Sequence, residues 1–478
     1  MRWSVRRLLV PCLCASALAV PTLHAEVPRL AVSSFLGGDD VDSAHAVTTD
    51  AAGSVYVAGV TLSSDFPDPH PVPEEPRHEV FVARLDAAGR LLWAVRFGGS
   101  GNEMPTGIAA ARGRVWVTGW TDSADFPRIG PLPGQPSVAG RHDAFVTSLD
   151  PADGSLLSST NLGGSADDVA EGVAVDAGGR VYVTGTTSSP DFPVTGGSEP
   201  PAAWVDHAFV AKLSADGSRL VYSRWLGGTA GASGQAIAVD AAGHALVAGS
   251  TSSHDFPVGR AARRSWGGGF SEGFVAKVAP SGRSLVWSTF LGGSGEEGLQ
   301  GIAVGGDGRI WVTGWTSSPD YPTRGAFQRR LRGETDAVVS GFTPGGQLIA
   351  STFLGGSRAE AGEGIAVDAA GRIRVAGATT SADFPVLHPL QAECGLAGPV
   401  CADAFVAEIR PGGTRLVWAT YLGGQDASSA YAVAVDAQGN TWAAGVTEAA
   451  DFPEVHPLQP FAGGIADAWL AKLVSPRR

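Results

Sequence analysis

Hydrophobic positions along this chain fall in short, near-continuous runs, separated at regular intervals by polar and glycine-rich turns. One stretch shows the pattern: Gly172-Val173-Ala174-Val175, then Arg180-Val181-Tyr182-Val183-Thr184, then Ala208-Phe209-Val210-Ala211-Lys212-Leu213, then Arg219-Leu220-Val221-Tyr222-Ser223-Arg224-Trp225. Helical periodicity is absent, so the pattern predicts four strands. Asp176-Ala177-Gly178-Gly179 joins the first two and Ser214-Ala215-Asp216-Gly217-Ser218 the last two, each a tight hairpin with a glycine at hand for a positive φ. Runs that are apolar at consecutive positions belong to sheets covered on both faces.

The four-strand unit recurs. Leu36-Gly37-Gly38, Phe97-Gly98-Gly99, Leu162-Gly163-Gly164, Leu226-Gly227-Gly228, Leu291-Gly292-Gly293, Leu354-Gly355-Gly356 and Leu422-Gly423-Gly424 follow one another at about 64 residues. A second marker keeps the same beat, from Asp65-Phe66-Pro67 and Asp125-Phe126-Pro127 through Asp320-Tyr321-Pro322 to Asp451-Phe452-Pro453. Small, doubly covered sheets repeated seven times predict an all-β, seven-bladed β-propeller of four-stranded antiparallel blades. The first strand of each unit is rich in small residues, as in Gly301-Ile302-Ala303-Val304, and belongs at the crowded centre. The chain begins with a fourth strand (Arg29 to Leu36) and ends with a third (Asp467 to Leu473), so the N-terminal strand is expected to complete the last blade and close the ring.

A chain of 478 residues exceeds the size at which single cores stop growing, a limit that repeat architectures escape. The expected organisation is a signal peptide over 1–25 and one propeller domain over 26–478, with repeats from about 29 to 475. Arg2, Arg6 and Arg7 precede an apolar stretch from Leu8 to Val20, too short to span a bilayer, with cleavage expected after Ala25. Export to the periplasm, the cell surface or the medium follows, and a local disulfide between Cys394 and Cys401 is expected there. Loss of the three signal arginines takes the formal charge from −13 to −16, which makes nucleic acid an improbable partner. No later segment is long and apolar enough for a transmembrane helix, and a monomer is expected.

The Leu-Gly-Gly and Asp-Phe-Pro markers, Gly179-Arg180-Val181-Tyr182-Val183-Thr184-Gly185 and Ala208-Phe209-Val210-Ala211-Lys212-Leu213 together resemble the bacterial SBBP repeat family of exported propellers. The resemblance runs from about Arg29 to Leu473 and implies a seven-bladed fold, often surface-associated, with no shared catalytic residues. Segments such as Gly172-Val173-Ala174-Val175-Asp176 are also similar to NHL repeats, found in binding modules and in some metal-dependent lyases.

Residues present in every blade read as structural. The Asp-Phe-Pro aspartate suits backbone N–H groups, its phenylalanine the gap between blades, and the acid before the third strand (Glu79, Asp143, Glu272, Asp336, Asp403, Asp467, with His207 in blade three) the loop backbone. The two short turns of each blade share one face, so the longer connections open on the other. Their extra length reads as variable loops for recognition. On that face the connections into the inner strands carry Asp39, Asp40, Asp42, Asp167, Asp168, Glu296 and Glu297, expected as an acidic rim that would suit a divalent cation such as calcium or a basic partner, or would serve solubility. Arg260, Arg263, Arg264 and Trp266 in blade four, with Arg329, Arg330 and Arg332 in blade five, form a basic counterpart suited to an anionic glycan or protein, or compensating nearby acids. The position before each inner run holds His45, Pro105, Glu171, Gln235, Gln300, Glu363 and Tyr431, where a catalytic site at the channel mouth would have to stand.

These features favour a non-enzymatic exported propeller that binds a protein or carbohydrate. A metal-dependent hydrolase or lyase is the second reading and an architectural envelope component the third. No resident cofactor is predicted.

Overall fold

The computed structural model describes residues 27–67, 77–135, 137–195, 205–260, 262–396, 400–459 and 464–475, and the signal segment with Cys12 and Cys14 lies outside them. Twenty-eight strands make seven four-stranded antiparallel sheets, with no helix among the described residues. In blade three, Asp168–Val175 is innermost, followed outward by Val181–Thr187, His207–Leu213 and Leu220–Leu226. Both predicted hairpins form, with Gly179 and Gly217 at φ of 82° and 79°.

The inner strands are Asp42–Thr49, Glu103–Ala111, Asp168–Val175, Ala232–Val239, Glu297–Val304, Glu360–Val367 and Ser428–Val435, and each touches the next around the whole ring. Small residues are needed there because backbones approach closely. A Cβ on Gly364 would stand 2.9 Å from the Val433 nitrogen of the next blade. The inner strands also extend four residues ahead of the apolar runs, across a bulge that lets a polar half and an apolar half share one strand. Arg29–Leu36 pairs antiparallel with Asp467–Val474, from Arg29 opposite Val474 to Leu36 opposite Ala468, so the N-terminal strand closes the ring as expected.

Seven hydrophobic clusters lie between neighbouring blades, and each contains one ring of the Asp-Phe-Pro series: Phe66, Phe126, Phe192, Phe256, Tyr321, Phe384 or Phe452. Phe192 packs 4.7 Å from Phe209 and is 2% exposed, a burial worth about 1.5–3 kcal/mol.

The long second-to-third connections correct the sequence reading. In five blades the described part after the Asp-Phe-Pro marker does not stand free for recognition; it runs back along the outer edge and pairs with the fourth strand. Ile129 bonds Ser159, Gly259 bonds Ser288, Arg324 bonds Ser351, Leu387 bonds Ala419 and Val455 bonds Ser33. These straps occupy N–H and C=O groups that an uncovered edge would leave open. The residue after each contact turns left-handed: Gly130, Arg260, Gly325, His388 and His456, at φ between 46° and 59°. In blades two, five and six a glutamine then locks the strap. Gln391 accepts the Gly423 N–H through Oε1 (3.1 Å) and donates through Nε2 to Asp403 (3.2 Å), and Gln328 does the same with Gly355 and Asp336. In blade six the strap is also tied by the Cys394–Cys401 disulfide.

Candidate binding face and axial channel

On the long-connection face the two markers explain each other. The Asp-Phe-Pro aspartate accepts the backbone N–H of the residue after the glycine pair in all seven blades: Asp65 from Asp39, Asp125 from Ser100, Asp191 from Ser165, Asp255 from Thr229, Asp320 from Ser294, Asp383 from Ser357 and Asp451 from Gln425, at 2.7–2.9 Å. Beneath this layer the acids are paired across the first glycine. A Cβ on Gly355 would meet Glu360 Oε2 at 2.4 Å and Asp336 Cγ at 2.6 Å, so only glycine fits between the two carboxylates.

The expected acidic rim therefore splits. Asp42, Asp168 and Glu297 are fully buried rather than solvated. Asp168 accepts the Gly164 N–H and the Ser189 hydroxyl, each at 2.7 Å, and Asp42 accepts the Gly38 N–H and the Ser63 hydroxyl, also at 2.7 Å. Glu297 accepts the Gly293 N–H at 3.1 Å and the hydroxyls of Thr316 and Ser318. Burial pushes Asp42 up to about 6 and Asp168 to about 7, and raises Glu297 as well. The acids before the third strand behave alike: burial takes Asp336 and Asp403 to about 6 and Glu272 to about 7, and each accepts loop N–H groups, as Glu272 does from Gly267 at 2.7 Å. Asp39 and Glu296 are exposed, while Asp40 and Asp167 are half-buried. Asp39 accepts the Ser64 N–H, which holds it below the usual carboxylate range.

The basic candidates are strap residues. Arg260 takes the left-handed position, Arg263 clamps the edge through Thr289 and stands 3.6 Å from Glu272, and Trp266 stacks on His254 at 4.4 Å and packs against the blade-four core. Arg332 gives its backbone N–H to Asp336, and Arg264, Arg329 and Arg330 are exposed.

The channel candidates are the bulge residues of the inner strands. Register shifts leave His45, Thr106, Glu171, Gln235, Gln300, Glu363 and Tyr431 without cross-strand partners. In blade two the residue is thus Thr106, not Pro105: the bulge falls on the fourth residue of every inner strand, which in Glu103–Ala111 is Thr106. His45 stacks on Tyr431 of the adjacent blade at 5.2 Å and 4°, and burial pulls its pKa down to about 4. Burial also pushes Glu171 up to about 7 and raises Tyr431, to which the Glu363 charge adds. Gln235 Nε2 donates to Ser233 at 2.6 Å. His45, Glu171 and Glu363 stand on blades one, three and six, and Tyr431 of blade seven lies between two of them, stacked on His45 and acted on by the Glu363 charge. Among the described residues, the cluster with ligand spacing is Cys394, Cys401 and Asp403, whose sulfurs form the disulfide.

Sequence reasoning missed the residues that break the repeat on this face. At the position after the second-strand glycine, blades two and five carry Trp120 and Trp315 where the others carry Val60, Thr186, Ser250, Ala378 and Val446. Both indoles are half-buried, and neither N–H has an acceptor among the described residues. Trp120 lies edge-on to His142 at 4.5 Å, beside Arg141 and Asp167, which pair at 3.1 Å. Trp315 lies over Gly298, where a Cβ would come within 2.7 Å of the indole nitrogen. Phe270 (85% exposed) and Ile465 (73%) stand where the third strands begin.

Seven radial four-stranded blades closed by the first strand define the chain as a seven-bladed β-propeller. Residues 159–193, which run from the fourth strand of blade two through the first two strands of blade three, match the SBBP beta-propeller repeat. The regulatory protein FlaEY of Caulobacter vibrioides is 29% identical over 181 residues, a match covering 37% of this chain and 19% of that protein's length. Among solved structures, the Pan2 WD40 domain of Neurospora crassa aligns over 94% of this chain and 97% of its own at 8% identity (TM-score 0.46), and the WD40 propeller of Doa1 over 94% and 97% at 11% identity (TM-score 0.45).

Proposed function

We propose that this protein is an exported, non-enzymatic propeller that binds a protein or carbohydrate partner on its long-connection face, at the cell surface or outside the cell. One observation carries the reading: Trp120 and Trp315, with unpaired indole N–H groups, stand on this face where the other blades have small or aliphatic residues. Half-buried tryptophan with a free donor supplies an apolar face and a hydrogen bond at little entropic cost. Exposed Phe270 and Ile465 extend the apolar surface. The basic, apolar N-terminal run and the disulfide support export to an oxidising compartment. The strapped edges and closed ring support a monomer. A hydrolytic channel site draws less support, since its acid and base candidates sit on separated blades.

The test is binding of residues 26–478 to arrays of glycans and of cell-surface proteins. Binding to a defined component of either array is expected. Failure to bind any component of both would overturn the proposal.

A further inference from the structure

The opposite face repeats one turn in six blades and abandons it in the second. Between inner and second strands, residues 50–54, 176–180, 240–244, 305–309, 368–372 and 436–440 form five-residue turns. In five of them the first residue is an aspartate whose carboxylate accepts N–H bonds from within the turn, as Asp176 does from Gly178 (2.8 Å) and Arg180 (3.0 Å). In blade two, Arg112 and Gly113 alone join Glu103–Ala111 to Arg114–Thr121, both left-handed at φ of 54° and 73°. This is the two-residue hairpin that asparagine and glycine fill without strain. A long charged residue there is strained backbone.

The shorter turn leaves a groove between the turns of blades one and three. Two adjoining cavities of about 510 Å³ and 400 Å³ share Ala111, Arg112, Arg114 and Ala177. Arg84 stands behind the larger one, its guanidinium 5.7 Å over the Tyr56 ring and bonded to the Pro151 carbonyl, both part of that lining. The acids nearby are already engaged: Asp176 by Arg180 at 2.8 Å, and Asp50 by the Tyr56 hydroxyl at 3.0 Å and by turn N–H groups. Arg112 is exposed and has no partner among the described residues. A net cationic groove thus lies in a chain of formal charge −13.

The geometry points to a second binding site here, for an acidic peptide segment of a partner protein, with a Glu or Asp carboxylate held by Arg112 and Arg114. Its lining of alanine and glycine, Ala51, Ala111, Gly113, Ala177 and Gly178 among them, accepts backbone and short side chains. An anionic glycan fits less well. The aromatic rings at the border, Tyr56 and Trp116, are 0% and 1% exposed and offer no face for a sugar ring.

The probe is a fluorescein-labelled decapeptide of alternating Glu and Ala, followed by anisotropy at low salt, with a Lys-Ala counterpart and an oligogalacturonate as competitors. Arg112→Gly is the informative variant, since glycine takes the left-handed position freely and the fold is retained. The Glu-Ala peptide is expected to bind the wild type, and Arg112→Gly to keep or raise the melting temperature while weakening binding about tenfold. Arg283→Ala with Arg415→Ala, exposed on hairpins of blades four and six away from the groove, is expected to bind as the wild type does. The inference is overturned if the wild type ignores the Glu-Ala peptide, if Arg112→Gly binds unchanged, or if oligogalacturonate displaces the peptide as a tighter, Arg112-dependent ligand.

Discussion

The turn face holds its carboxylates in one tier and the long-connection face in two, the upper lowered by hydrogen bonds as Asp39 and Asp125 are. On the turn face, aspartates sit in hairpins and collect short-range donors. The hydroxyl of Ser214, with the N–H and hydroxyl of Ser218, holds Asp216 at about 2, and at Asp176 and Asp240 the donors together outweigh the burial penalty and lower the pKa. On the long-connection face a second tier of acids lies beneath the surface, where burial outweighs the hydrogen bonds and pushes Asp42, Asp168, Glu272, Asp336 and Asp403 up to about 6–7. The difference is one of depth. A turn is a surface device, whereas the buried acids pin three chain segments together: the glycine pair, the end of the second strand and the start of the third.

The largest test of this comparison lies at the turn-side end of blade six. In blades one, three and seven a base covers an aromatic ring there: Arg84 lies 5.7 Å from the Tyr56 ring, Lys212 4.5 Å from Tyr182 and Lys472 5.0 Å from Trp442. Blade six replaces the ring by Arg374 and the base by Glu408, both almost fully buried and 3.1 Å apart. Glu408→Ala leaves a buried guanidinium facing an emptied site and is expected to cost about 3–5 kcal/mol in urea unfolding. Arg374→Trp with Glu408→Lys, which copies blade seven, is expected to recover most of that loss. A double variant as unstable as the single one would show that the blades do not share an interchangeable pair.

The next effect is on pH dependence. Acids raised in the folded state add stability that is complete below their ordinary pKa near 4 and is lost as pH rises through 6–7. Acids lowered in the folded state add stability that is complete above about 4 and is lost as pH falls through about 2. The melting temperature should therefore peak at about pH 4–5 and decline toward pH 8. Asp168→Asn should lower the peak by removing an acceptor of buried donors, and should also flatten the decline. A maximum at pH 7 or above would contradict the burial of this second tier.

The smallest effect concerns the straps. His388 occupies a left-handed position that glycine holds in two other blades. His388→Gly is expected to raise stability by about 0.5–1 kcal/mol in urea unfolding. A loss of stability would mean that the imidazole, and not the backbone geometry, serves the strap.

Much of this architecture was legible because repetition reports on backbone. Leu-Gly-Gly and Asp-Phe-Pro gave the blade count, the placing of Arg29–Leu36 at the end of the ring and the phenylalanine plugs. The depth of the acids was not legible in the same way. An acid at the start of a strand looks solvated until the strap that covers it is known, and straps such as 387–391 pair through backbone atoms that leave little trace in side-chain pattern. One signal was available: Pro389-Leu390-Gln391 recurs as Pro457-Leu458-Gln459, and Gln391 is the lock in blade six. The binding candidates Trp120 and Trp315 were hidden for the opposite reason. They sit inside well-formed strands and read as core, and only alignment of the seven blades shows them as departures.

The account rests on a division between residues that recur in every blade and build the ring, and residues that break the repeat and bind. Trp120→Ala combined with Trp315→Ala tests it most directly, measured as binding to the array component that the wild type recognises, with thermal unfolding on the same sample. The account predicts a melting temperature within a few degrees of wild type and a loss of binding of about tenfold or more. Unchanged binding, or a collapse in stability, would contradict it.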